Sequence, residues 1–167
     1  MAQAIILGLL KQGYPAEQII VNDPNEEKKA FFANLGVATS ENNVESVIKA
    51  EVVLLAVKPQ MMADVCLPLS AVDFSDKLLI SIAAGISTER LNALIPSVKS
   101  IVRVMPNTPA LVGEGMAVYL HRKIRVKITA LLHKIYWEQW EERFGWMMKL
   151  KCTQSLPRQE VVQPISF

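Results

Sequence analysis

The stretch from Arg103 to Met116 carries the most informative arrangement of polar residues in the chain: Pro106 and Pro109 bracket Asn107 and Thr108, directly after a β-branched run. Proline fixes φ and removes a backbone donor. This spacing therefore predicts that a strand over residues 100–104 stops there, leaving Asn107 and Thr108 on a rigid loop. Rigid polar loops after strands are where α/β proteins bind ligands. Two other apolar runs end in similar punctuation: residues 52–57 lead into Lys58-Pro59-Gln60, and residues 78–82 into Ala83-Ala84-Gly85. Small residues at a strand end let a flat ligand approach the backbone. Runs without polar alternation suit strands of a parallel sheet covered on both faces.

The elements that must position these ends alternate along the chain. Residues 2–12 read as a helix, with Ile5, Ile6, Leu9 and Leu10 on one face and Gly13 as its stop. A short strand over 19–21 follows, and Asp23-Pro24-Asn25 opens a helix that stops at Gly36. Then come a short strand at 37–38, a helix over 43–50, a strand over 52–57 and a helix over 60–69. A strand over 78–82, a helix over 88–94 and the strand ending at Val104 complete the series. Strands alternating with helices of this length predict an α/β fold with a doubly wound parallel sheet.

Composition excludes several classes. The chain has 167 residues, 51% of them apolar and 20% charged, which is ordinary for about one globular domain. Its formal charge of +2 is too small to argue for nucleic acid or an anionic membrane as partner. No run of about 18 apolar residues spans a bilayer, and Met1-Ala-Gln lacks the basic start of a signal peptide. A cytoplasmic protein is expected. Cys66 and Cys152 lie far apart without ligand-like neighbours, so free thiols are expected rather than a disulfide or a metal site. His121 and His133 show no metal-ligand spacing, and Glu114 beside two glycines is not read as a general acid.

Taken together, Ala56-Val57-Lys58-Pro59, Ser81-Ile82-Ala83-Ala84-Gly85 and Met105-Pro106-Asn107-Thr108-Pro109-Ala110, in this order and spacing, closely resemble the nucleotide-binding domain of pyrroline-5-carboxylate reductase. The resemblance covers about residues 1–120. It implies a Rossmann-like domain and transfer of a hydride from NADPH or NADH to 1-pyrroline-5-carboxylate, giving L-proline in the last step of its synthesis. It implies that Ala56, Val57, Lys58 and Pro59 line the dinucleotide, largely through backbone groups, with Lys58 near the ribose or nicotinamide side. Ile82, Ala83 and Ala84 are implied neighbours of the nicotinamide half. Asn107 is implied as an amide partner for cofactor or substrate, its alternative being a loop residue bonded to its own backbone. Asp23 follows the second strand, where an acidic residue often binds the adenosine ribose hydroxyls and repels a 2′-phosphate. The family's pairing of an Asn like Asn43 with NADP use points the other way, and Asp23-Pro24-Asn25 could equally be just a helix cap. The choice between NAD and NADP stays open. No catalytic residue is assigned, since catalysis in this family is mainly positioning.

Two departures from the family pattern stand out. Such domains begin with a strand and a glycine-rich turn before the first helix. That first strand is missing here, and Met1 falls on the methionine that follows the family's turn, so the frame is expected to start late. Loss of a strand central to the sheet would leave its neighbours with unpaired backbone groups. From residue 123 the composition changes: Trp137, Trp140 and Trp146 all lie in a segment rich in Lys, Arg and Glu, and a helical apolar spacing decays near Tyr136. Trp146-Met147-Met148-Lys149, read one frame over, forces Asp-Asp-Glu. With permitted codons the stretch to Phe167 rereads as a sequence containing Ser-Gly-Ser-Gly-Pro-Ala-Tyr, the family's substrate loop. An incomplete dinucleotide-binding domain over 1–122 and an aberrant, irregular helical tail over 123–167 are therefore expected. The tail stands in place of the helical dimerisation and substrate domain of this homo-oligomeric family, so the chain is expected to be inactive or nearly so. Two other readings stand beside this one: a related hydroxyacid-type dehydrogenase, and a non-enzymatic remnant or partner-binding fragment using the Trp-rich tail.

Overall fold

The computed structural model describes residues 2–106 and 117–122, with side chains described for residues 2–104. These residues belong to a compact unit, Met1–Lys123. Among the described residues, helices and strands alternate as far as β5, and a further strand follows: α1 (Ala2–Lys11), β1 (Ile20–Val21), α2 (Glu26–Asn34), β2 (Ala38–Thr39), α3 (Asn43–Lys49), β3 (Val52–Leu55), α4 (Met62–Leu69), β4 (Leu78–Ser81), α5 (Thr88–Leu94), β5 (Ser100–Pro106) and β6 (Ala117–Arg122). The α/β, Rossmann-like expectation holds.

Local chemistry explains the boundaries. The Asn25 side chain accepts from Lys28 N at the start of α2, Asn42 from Val44 N and Glu45 N at α3, and Ser87 from Arg90 N at α5. Each supplies an acceptor to amides that have no partner within the first helical turn. The chain leaves α1 and α2 through Gly13 and Gly36, whose φ of 79° and 80° suits glycine alone at no cost. Pro59 opens a 3-10 turn, Pro59–Met61, that runs into α4.

The strands form two sheets, one of order β1-β2 and one of order β3-β4-β5-β6. Pairing is parallel between β1 and β2, β3 and β4, and β4 and β5. The last pair, β5 with β6, is antiparallel, with Pro106 opposite Ala117. The sheet is thus mixed rather than wholly parallel, and β6 was not expected from the sequence. This neighbour also corrects the strand end expected at Val104. β5 continues to Pro106 because a proline at the last strand position is not asked to donate to the ladder. Conversely, β3 stops at Leu55 and β4 at Ser81, short of the expected 57 and 82.

Among the described residues no ladder joins β1 to β3. Glu51 and Leu55 give their carbonyls to Leu78 N and Ile82 N of the β4 side. By the alternation of a parallel strand, Val52 and Leu54 turn their backbone groups to the opposite edge.

β4 is central and buried along its whole length. On one face Val53, Leu55, Leu79 and Ile101 pack with Met62, Cys66 and Leu69 of α4, with Leu91 of α5, and with Phe74 and Ile95. On the other, Leu78, Ile80, Val102 and Val104 are also buried. A second cluster, Ile6, Phe32 and Val37, holds α1 and α2 against β1. Each large side chain removed from water stabilises by about 1.5–3 kcal/mol, so these layers fix the strand ends.

Candidate functional site

The register sets the ends of β3 and β4 level, opposite Arg103 of β5. Leu55 pairs with Ser81 and Ser81 with Arg103, all in parallel strands. Residues following β3 and β4 therefore emerge side by side at the carboxyl edge, the edge at which open α/β sheets bind ligands. The hydrogen bond from Ile82 N to Leu55 O, 3.1 Å, carries the ladder to its last rung.

At the end of β3, Ala56 is exposed, Val57 half-buried, and Lys58 and Pro59 exposed. At the end of β4, Ile82 is half-buried, Ala83 buried and Ala84 exposed. Ser81 is completely buried, and its Oγ accepts from Ala83 N at 3.3 Å, which turns the chain away from the sheet immediately after the strand. Gly85 then adopts φ 74°. Two exposed alanines beside an in-register strand end leave backbone open to a flat ligand. The register and the exposed backbone at residues 56–59 and 82–84 fit a nicotinamide dinucleotide at this edge.

The other sheet contributes two loops at its own carboxyl edge. Asn22 Nδ2 donates to Ser40 O at 2.9 Å, tying the residue after β1 to the residue after β2. Asp23 is half-buried; one carboxylate oxygen accepts from Asn25 N at 2.9 Å and the other lies 3.4 Å from Lys28 Nζ. Asn25 provides the α2 cap. Asp23 is therefore not the capping residue but the first acidic group past β1. Asn42, not Asn43, caps α3, which leaves the Asn43 side chain outside that cap at the helix start.

A polar concavity of about 410 Å³ lies between α2 and the β2 end, lined by Glu26, Lys29, Thr39, Ser40 and Glu41 among others. Lys29 Nζ is 2.7 Å from Glu26 and 3.0 Å from Glu41. Hydrogen bonds to Glu26 first, and then to Glu41, hold its pKa above the ordinary 10.5. Cys66 is a free, buried thiol, and burial pushes its pKa up. Asn107, Thr108, Glu114, His133, Cys152 and the tail from residue 123 lie outside the described residues, as does the side chain of His121. Among the described residues no group of three His, Cys, Asp or Glu could hold a metal ion, and no helix is long and apolar enough to cross a membrane.

Sequence reasoning missed Asn22 and Ser81. The signal for Ser81 was present: it is the one hydroxyl in the apolar run 78–82. Asn22 carried none, because its partner is a carbonyl eighteen residues away.

Comparison with known proteins places this geometry. Residues 1–85 match the family described as NADP oxidoreductase, coenzyme F420-dependent. Over 117 residues the chain is 95% identical to the pyrroline-5-carboxylate reductase of Haemophilus influenzae, covering 70% of this chain and 43% of that protein. Over 121 residues it is 62% identical to the Pasteurella multocida enzyme of the same name, covering 70% and 44%. The chain thus spans less than half the length of these relatives. Among solved structures, a pyrroline-5-carboxylate reductase from Coxiella burnetii superposes with a TM-score of 0.75 at 33% identity, over 80% of this chain and 51% of that one. The Plasmodium falciparum pyrroline carboxylate reductase, solved with NADP bound, gives 0.67 at 28% identity over 80% and 49%.

Proposed function

This chain belongs to the family of coenzyme F420-dependent NADP oxidoreductases, and from that premise we propose that residues 1–122 are the nucleotide-binding domain of a pyrroline-5-carboxylate reductase. The observation that carries the proposal is the level pairing of Leu55 with Ser81, which brings Ala56-Val57-Lys58-Pro59 and Ile82-Ala83-Ala84 to one edge. The reduced nicotinamide supplies the hydride that converts 1-pyrroline-5-carboxylate to L-proline. The chain's own residues do the holding: backbone at 56–59 and 82–84 lines the dinucleotide, Asp23 and Asn43 stand at the adenosine end, and Asn107 offers an amide to cofactor or substrate.

Positioning accounts for this chemistry without a nucleophile, since fixing two reactants in a near-attack geometry removes much of the barrier. The described residues furnish the cofactor side of that pairing. We accordingly propose that the chain binds the dinucleotide and turns substrate over slowly or not at all. The same reading puts the protein in the cytoplasm with a small molecule as its partner. The formal charge of +2 gives neither nucleic acid nor an anionic membrane a strong hold.

The test is to titrate the purified chain with NADH and NADPH by nicotinamide fluorescence, then add 1-pyrroline-5-carboxylate and follow oxidation at the nicotinamide band. Saturable binding with little or no oxidation is expected. A chain that binds neither dinucleotide contradicts the reading.

A further inference from the structure

We propose that Ser81 is a positioning residue for the nicotinamide half of the dinucleotide: it touches no ligand itself and acts by ending β4 early, which turns the backbone of Ala83 and Ala84 out at the carboxyl edge. The inference rests on the dinucleotide reading above. Leu78, Leu79, Ile80 and Ser81 are all buried, and Ser81 completely so. A hydroxyl taken out of water costs free energy unless it is hydrogen-bonded, so packing alone would favour an apolar side chain at this position. The bond that Ser81 makes is local: its Oγ accepts from Ala83 N at 3.3 Å.

The register shows what that bond prevents. Leu78 N and Ile82 N donate to Glu51 O and Leu55 O, so these two residues turn their backbone groups to β3. By the alternation of a parallel strand, Leu79 and Ser81 turn theirs to β5, and Ala83 would be the next to do so. Ser81 is level with Arg103, which would set Ala83 level with Met105, between the carbonyl of Val104 and the nitrogen of Pro106. The Ala83 N–H would then go to Val104 O, but the Ala83 carbonyl would meet a proline nitrogen that carries no hydrogen. Ser81 Oγ takes the N–H instead, and β4 ends at Ser81 while β5 runs on to Pro106. The chain leaves the sheet through Ala84, which is exposed, and Gly85, whose φ is 74°. The backbone of residues 83 and 84 is thereby left for a ligand rather than consumed in a ladder.

The experiment is to compare Kd values for NADPH and for 2′-phospho-ADP-ribose, the same molecule without its nicotinamide, on the full chain and on Ser81→Ala and Ser81→Thr. Ser81→Ala removes the acceptor and lets the Ala83 N–H turn to Val104 O. It is expected to weaken NADPH about five- to tenfold, the size of one lost hydrogen bond, and to leave the nicotinamide-free ligand within about twofold. Ser81→Thr keeps an oxygen at the same place and should restore most of the NADPH affinity, even where its extra methyl lowers the melting temperature. Should Ser81→Ala not fold, Ser81→Cys, whose sulfur is a weak acceptor, is read in the same way. A serine with a merely structural role would weaken both ligands together. That result, no change in either ligand, or a Thr variant as weak as the Ala variant overturns the inference while leaving the dinucleotide reading intact. An unaltered chain that binds neither NADPH nor NADH overturns both.

Discussion

Asn22 Nδ2 lies 2.9 Å from Ser40 O, so the loop leaving β1 and the loop leaving β2 are joined by one side chain at the carboxyl edge of their sheet. The two-residue ladder between these strands is short, and this bond extends the connection past its end. Asn22→Ala should lower unfolding free energy by about 1 kcal/mol, the usual net worth of such a bond. Urea denaturation would show it as a lower midpoint with an unchanged slope. A midpoint equal to that of the unaltered chain would mean that the bond does not form in solution.

Ser81 is the polar exception in a buried strand, and its Oγ accepts from Ala83 N. Ser81→Ala leaves that buried amide without its side-chain acceptor, a change that costs about 1–3 kcal/mol. The same substitution should weaken dinucleotide binding, because the turn at Ala83 and Ala84 loses its anchor. Thermal melts and nicotinamide fluorescence measured together check both effects.

Gly85 separates strain from crowding. Its φ is 74°, yet a Cβ built there meets nothing within 4 Å. Gly85→Ala should therefore destabilise by about 1–2 kcal/mol through backbone conformation alone. A substitution without effect in a denaturant titration would show that the left-handed conformation is not held.

Lys29 gives a pH dependence. Its carboxylate partners Glu26 and Glu41 raise its pKa in the folded state above the ordinary 10.5. A raised lysine pKa contributes stability that is fully present below the unfolded-state value and is lost as pH rises through the folded-state value. Stability of the unaltered chain should accordingly fall above about pH 10 more steeply than that of Lys29→Met, which has no such proton to lose. Parallel alkaline melting curves for the two proteins would contradict this.

Much of the fold was legible because its signals are local. Gly13 and Gly36 ended helices where a positive φ was needed, and α5 lies over Thr88–Leu94, the span expected from the alternation of elements. The strands β3, β4 and β5 followed from unbroken apolar runs, since both faces of β4 are covered. What escaped was non-local. β6 pairs antiparallel with β5 across an intervening segment, and nothing in residues 117–122 alone announces a partner. The extension of β5 to Pro106 depends on that same neighbour, so the proline looked like a terminator.

The site divides in the same way. That Ala56, Lys58, Ala83 and Ala84 follow strand ends was legible from motif and spacing, whereas the level placement of those ends came from the register of Leu55 with Ser81. The helix cap that was one alternative for Asp23-Pro24-Asn25 is there, with Asn25 as the capping residue and Asp23 accepting from its amide. The side-chain contacts of Ser81 and Asn22 needed coordinates, because one side chain reaches a turn and the other a loop across the sheet.

The most direct test of whether the carboxyl edge of these strands holds a nicotinamide dinucleotide is to map backbone amide shifts of the labelled chain during titration with NADH. Saturable shifts are expected, concentrated at residues 56–58 and 82–84, with Asp23 and Asn43 following at the adenosine end. Shifts confined to other surfaces, or none at millimolar NADH, would contradict it.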